Sequence, residues 1–176
     1  MPEPIPGSAP EPGAPGARPA PPPATREGVD PRGTRFSAGV TALLLGVDIV
    51  LGSAGGGGST AAVWLLALIT AVFAWGAFAG VRRHPYGWLF RALVRPRLGA
   101  PAELEAPEPP TFAQLVGLVI SAIGLVLGLI GLQWGLVAAA ALAFIASFLN
   151  AAFGYCLGCE LYLLLQRARR GGTAAA

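Results

Sequence analysis

The chain has two cysteines, Cys156 and Cys159, and both fall within "FGYCLGCELY" at residues 153–162. A thiol pair at this spacing can cycle between dithiol and disulfide. One thiolate attacks a disulfide or persulfide sulfur, and the second cysteine resolves the intermediate. On a helix Cys156, Cys159, Glu160 and Leu163 stand at i, i+3, i+4 and i+7 and share one face. Glu160 is then placed to exchange a proton with a thiol, although its negative charge opposes a thiolate. Other readings of the same residues stay open. A metal site needs more ligands than two cysteines, and His84, the single histidine, with Glu160 would have to complete it. S-acylation of juxtamembrane cysteines is a third reading. Two small residues packing a helix end is the plainest one. The sequence assigns no cofactor and no metal ligand set.

The reactivity of the pair depends on the element that carries it. A long apolar run precedes Gly154. If its helix continues through "YCLGCE", the thiols lie near a C-terminal end, where the helix dipole disfavours a thiolate. If the chain bends at Gly154 and Gly158 to lie along the interface, and a new helix begins after Gly154, Cys156 lies at an N-terminus, where the dipole favours one. Asn150 lies a turn and a half before Cys156. It reads as an interhelical hydrogen-bonding group or as part of a polar path toward the thiols. Asp48 is an ionisable residue inside another apolar run, which makes it a functional candidate. If that helix ends near Val47, Asp48 sits instead at the membrane surface.

The elements that must position these groups are transmembrane. The 176 residues are 54% hydrophobic and 12% charged, against roughly a quarter charged in soluble domains. All twelve basic residues are arginine, a bias that suggests a high-GC bacterial genome. Four apolar runs follow one another at 36–52, 61–80, 112–132 and 135–154. A helix needs ~20 residues to cross a ~30 Å hydrocarbon core, and backbone in lipid must bond internally. The expected fold is all-α: a four-helix transmembrane bundle of two antiparallel hairpins, each closed by a short uncharged link. Glycines at Gly76xxxGly80 and Gly124xxxGly128 read as close-packing positions within it.

Arginines flank the runs on one side only. Arg26, Arg32 and Arg35 precede the first run, Arg82, Arg83, Arg91, Arg95 and Arg97 fall in the middle connection, and Arg167, Arg169 and Arg170 follow the last. The positive-inside rule then places both termini and the middle connection in the cytoplasm of a bacterial inner membrane. Flanking arginines of this kind are topology signals and exclude nucleic acid as a partner. Within the connection at 81–111, "RRHPYGWLFRALVRPRLG" mixes arginine with aromatic and aliphatic residues, as a segment lying at the headgroup layer would. Residues 1–32 are a Pro/Ala/Gly tail with too little apolar surface to offset the entropy of ordering, and they read as disordered. No apolar core marks a signal peptide there. The membrane domain thus covers 33–166, including a juxtamembrane CxxC segment at 155–166, and a basic tail follows at 167–176. No Ser/His/Asp set, paired carboxylates or phosphate-cradling loop is present.

Three stretches, "VDPRGTRFSAGVTALLL", "HPYGWLFRALVRPRLGAPAELEAPEPPTFAQLVG" and "FLNAAFGYCLGCELYLL", together resemble an actinobacterial membrane family known as domain of unknown function 4395 over about residues 29–166. The resemblance implies a four-helix integral membrane protein. Its members are often encoded near thioredoxin-like proteins and sulfurtransferases, which implies thiol or sulfur chemistry.

The leading functional expectation is a membrane component of thiol or sulfur-species handling. Cys156 and Cys159 exchange with a cytoplasmic thioredoxin-like or rhodanese-like partner, and Glu160 moves or orients a proton. The alternatives are a small transporter for a sulfur-containing anion and a membrane anchor that recruits a soluble protein through residues 82–99. Beyond the lipid bilayer, the sequence names no oligomeric partner.

Overall fold

The computed structural model describes residues 28–173. The disorder expected for 1–32 falls outside those residues up to position 27. Residues 28–32 are placed: Val29 and Glu105 exchange two backbone hydrogen bonds of 2.8 and 3.0 Å. Asp30 then caps the first helix, accepting from the Arg32 backbone N–H at 3.0 Å.

Four long helices dominate: α1 (Pro31–Ala54), α2 (Gly57–Ala79), α4 (Glu108–Leu129) and α5 (Gln133–Phe153). All four are long and apolar enough to cross a membrane. A short α3 (Pro85–Leu89) sits in the middle connection, and α6 (Leu157–Thr173) closes the described chain. Three helices, α1, α2 and α4, start about a turn earlier than the apolar runs indicate. Pro31 occupies the first turn of α1, and Pro109 and Pro110 that of α4. The first turn needs no internal N–H donor, so proline extends the helix there without loss. The glycine-rich link between α1 and α2 shrinks to Gly55 and Gly56, because Gly57 already opens α2.

The helices form a ring in which α1 packs on α2 and α5, and α4 packs on α2 and α5. Both new pairings are antiparallel. Gly46 meets Phe144 and Gly52 meets Val137 between α1 and α5, while Gly76 meets Gln114 and Gly128 meets Val63 between α2 and α4. The core joins Leu45, Leu66, Ile69, Leu136 and Ala140, all essentially inaccessible. Trp64, Phe78 and Trp134 point outward, as lipid-facing side chains do and water-facing ones rarely do.

The GxxxG motifs divide. Gly124 and Gly128 are close-approach positions. A methyl group at either would lie 2.5 Å from the nearest side-chain atom, Ala139 Cβ or Leu136 Cδ1 respectively. Gly76 likewise faces the Gln114 side chain at 2.8 Å. Gly80 packs against nothing and ends α2 with φ of 80°, so its role is the turn.

Among the described residues every charged side chain except Asp48 lies toward one end of the bundle, the end where α1 and α4 begin and α2 and α5 finish. The opposite end carries only the uncharged links at 55–56 and 130–132.

A cysteine pair beside an intramembrane cavity

The end of α5 decides between the two arrangements open in the sequence. Gly154 adopts φ of 70° and ψ of 13°, and its N–H donates to the Asn150 carbonyl at 3.0 Å. Tyr155 N–H reaches the Leu149 carbonyl at 3.3 Å. This left-handed glycine cap stops the helix. Arg35 of α1 reinforces it, with Nη2 donating to the carbonyls of Ala151 at 3.3 Å and Ala152 at 3.2 Å. A cation on the free carbonyls of a helix C-terminus is favourable both as hydrogen bond and as charge.

The chain therefore turns, and a new helix starts at Leu157. Cys156 precedes its first turn and does the work of a cap. Its Sγ accepts from Cys159 N–H at 3.3 Å, and its carbonyl accepts from Glu160 N–H at 3.0 Å. Cys156 and Cys159 are joined as a disulfide, with their Cα atoms 5.2 Å apart, inside the usual span for such a bridge. Glycine between the cysteines lets α6 dock. A methyl group on Gly158 would lie 2.6 Å from Ala113 Cα at the start of α4. Phe112 and Tyr162 close the same contact, their ring centroids 5.6 Å apart.

Cys156 also borders a cavity of about 590 Å³ between α1, α4 and α5. Ser37, Thr41, Gln114, Ser147 and Asn150 supply the polar part of its wall. The hydroxyls of Ser37 and Thr41 are satisfied by carbonyls of their own helix, at 2.9 and 3.0 Å. Gln114 Oε1 is buried without a partner among the described residues. The Asn150 side chain makes no hydrogen bond to another described residue and lines the cavity with Cys156.

His84 borders the same space and is 4% exposed. Burial pushes its imidazole down to about 4, so it is neutral near pH 7. Its Nδ1 accepts from Tyr86 N–H at 3.3 Å, which places the ring proton on Nε2. Arg82, Arg91 and Arg95 ring the mouth with exposed side chains. Asp30 beside them is held low: burial alone would raise it, but the Arg32 side chain and backbone donate to it and outweigh that effect.

The remaining candidates lie elsewhere. Glu160 is exposed and is not part of the cavity wall. Arg83 faces a separate groove between α2 and α4, and its carbonyl accepts from Trp75 Nε1 at 3.0 Å. Asp48 is fully buried in the body of α1, with both carboxylate oxygens lacking partners among the described residues. It lies toward the uncharged end and does not meet the cysteines. No three His, Cys, Asp or Glu side chains cluster among the described residues. Arg35 and Gln114 gave no functional signal in the sequence, and Gly158, expected as a bend, lies inside α6. A lone polar residue near the start of an apolar run and a glycine inside the CxxC were the available hints.

A ring of four membrane-length helices, with a cysteine pair turned in beside an internal cavity, defines this as a polytopic α-helical membrane protein. A family model described as domain of unknown function (DUF4395) matches residues 29–167, and the chain belongs to that family. No curated protein and no solved structure matches it.

Proposed function

We propose that the protein handles thiol–disulfide or sulfur-transfer chemistry at the membrane, through Cys156 and Cys159. The observation that carries this is the placement of Cys156. Its sulfur receives the Cys159 backbone N–H at the start of α6 and lies at the edge of the cavity. The same N–H and the helix dipole stabilise negative charge on Cys156 once the bridge opens. Cys156 is then the sulfur from which a partner's attack or a persulfide transfer proceeds, and Cys159 resolves the mixed intermediate.

The partner is a soluble thioredoxin-like or rhodanese-like protein on the arginine-bearing side. By the positive-inside rule that side is the cytoplasm of a bacterial inner membrane, with both termini there. Reporter fusions at each terminus check the orientation. With Glu160 exposed on the outer side of the first turn, its role is to orient or exchange protons with the incoming partner.

Trapping tests the reading. Cys159→Ser should hold a mixed disulfide between Cys156 and a soluble dithiol protein, and Cys156→Ser should not. A double Cys→Ser variant that keeps full cellular function would sink it. A second reading, transport of a sulfur-containing anion, is favoured by the three arginines at the mouth. Absence of thiosulfate or sulfide flux in proteoliposomes removes that reading and leaves the first intact.

A further inference from the structure

The cavity beside Cys156 has the makings of a ligand site in its own right. Its volume of about 590 Å³ falls within the ~300–1,000 Å³ of small-molecule pockets. It runs from the arginine-bearing end into the membrane-spanning helices, as far as Thr41 of α1, Ile120 of α4 and Ala143 of α5. Charge is confined to the mouth, at Asp30, Arg82, Arg91 and Arg95, while the deeper wall is apolar with neutral polar groups. Leu142 and Leu161 line the cavity and are at the same time 60% and 43% exposed. The wall is thus continuous with the apolar outer surface, which gives a lipid-soluble molecule a way in.

Two polar groups there lack partners among the described residues. His84 is nearly fully buried, its Nδ1 is occupied by Tyr86 N–H, and its Nε2–H is left to donate. The Asn150 amide lines the cavity without a hydrogen bond to another described residue, so its Oδ1 is left to accept, whereas Gln114 Oε1 is sealed against Gly76 of α2. An unsatisfied buried polar group is costly unless a ligand or water completes it. A spare donor and a spare acceptor in one apolar cavity suit a molecule whose oxygens accept in one redox state and donate in the other. The redox-active disulfide proposed above stands at its edge.

Resting on that reading of the cysteines, we propose that this cavity binds the ring of a lipid-soluble quinone, which serves as electron acceptor for the Cys156–Cys159 dithiol. The two S–H bonds break and one S–S bond forms, releasing two electrons and two protons. The quinone takes up both electrons and both protons, and its two C=O groups become the C–OH groups of the quinol. His84 Nε2–H donates to a quinone oxygen, and Asn150 Oδ1 accepts from a quinol hydroxyl. A soluble dithiol protein then reduces the bridge by thiol–disulfide exchange, and the cycle restarts.

The test uses the full chain in lipid nanodiscs with menadione, a short naphthoquinone, as probe. Binding is read by photo-crosslinking of an azido derivative, mapped by mass spectrometry. Turnover is read as quinol formed per dithiol consumed. Crosslinks are expected within 110–120 and 142–150, with one quinol formed per disulfide. Ser147→Phe, which fills the cavity, should weaken labelling at least tenfold. His84→Phe is the second variant, expected to lower affinity about tenfold, and thermal unfolding reports whether each variant is folded. Labelling unchanged in both folded variants overturns the site. Exchange with a soluble dithiol protein, but no quinol formed and no labelling, also overturns it and leaves the thiol function standing. Labelling that persists in a double Cys→Ser variant supports the site. If the wild-type cysteines then never cycle, the thiol reading fails and the electron-transfer step fails with it.

Discussion

The two halves of the bundle are built on different rules. Toward the uncharged end, Gly124, Gly128 and Gly135 bring α4 and α5 into near backbone contact around Leu66 and Leu136. Toward the arginine-bearing end, α1, α4 and α5 enclose a cavity instead, and Cys156, His84 and Asn150 gather around it. In lipid no hydrophobic gain pulls helices together, so association rests on close packing and polar contacts. The tight half supplies that association. In the other half α4 still packs closely on α2, through Gly76 against Gln114 and Gly117 against Phe73, and the room is left on the side of α1 and α5.

The sharpest way to break this contrast is to overpack the tight half. Gly124→Leu places side-chain atoms where Ala139 already sits. It should cost ~3 kcal/mol or more, the upper range for overpacking, measured by unfolding in detergent. Loss below 1 kcal/mol would mean that the glycine seam is not what holds the ring.

Acid is the next lever. His84 is buried with its imidazole pushed from 6.5 down to about 4. Between these values the unfolded chain binds a proton that the folded chain refuses. Stability is therefore complete above pH 6.5 and declines as pH falls toward 4, by roughly 2–3 kcal/mol. His84→Gln should flatten that part of the profile, and the decline from Asp30, whose carboxyl is held below 3.8, sets in only at lower pH.

Arg35→Gln comes third. It gives up the bonds to the Ala151 and Ala152 carbonyls and should cost ~1–2 kcal/mol. Hydrogen exchange should quicken at 153–160 and not at 124–140. The smallest effect belongs to Ser147→Ala, whose hydroxyl lines the cavity and makes no hydrogen bond among the described residues. Stability should change by less than ~0.5 kcal/mol, and a larger loss would show that the cavity wall is part of the scaffold.

Much of the scaffold was legible in the sequence because it depends on length and polarity alone. Apolar runs of membrane length and arginines on one flank are one-dimensional signals. Helix starts were misplaced where Asp30–Pro31 and Pro109–Pro110 look like breakers yet cap or open helices. The direction of α6 hinged on one backbone angle at Gly154, and a sequence cannot say whether a glycine uses its freedom. The cavity was illegible for a deeper reason. Its wall draws on Ser37, Gln114, Ser147 and Cys156, from four different helices or their ends. Their common neighbourhood exists only once the ring closes, and nothing in the spacing along one helix announces it. Asp48 was ambiguous because only the extension of α1 to Ala54 puts it inside.

That buried carboxylate bears on how the protein is made. Asp48 shares a helix face with Gly52, which lies against Val137 and Leu136 of α5. Its cover thus includes the last of the four spans to be synthesised. A ribosome adding ~5–20 residues per second needs several seconds to get from Ala54 to the end of α5. For that interval α1 holds its carboxylate against lipid, water or the insertion machinery. Biogenesis of this membrane protein should accordingly pass through a retained intermediate that is released only when α5 arrives.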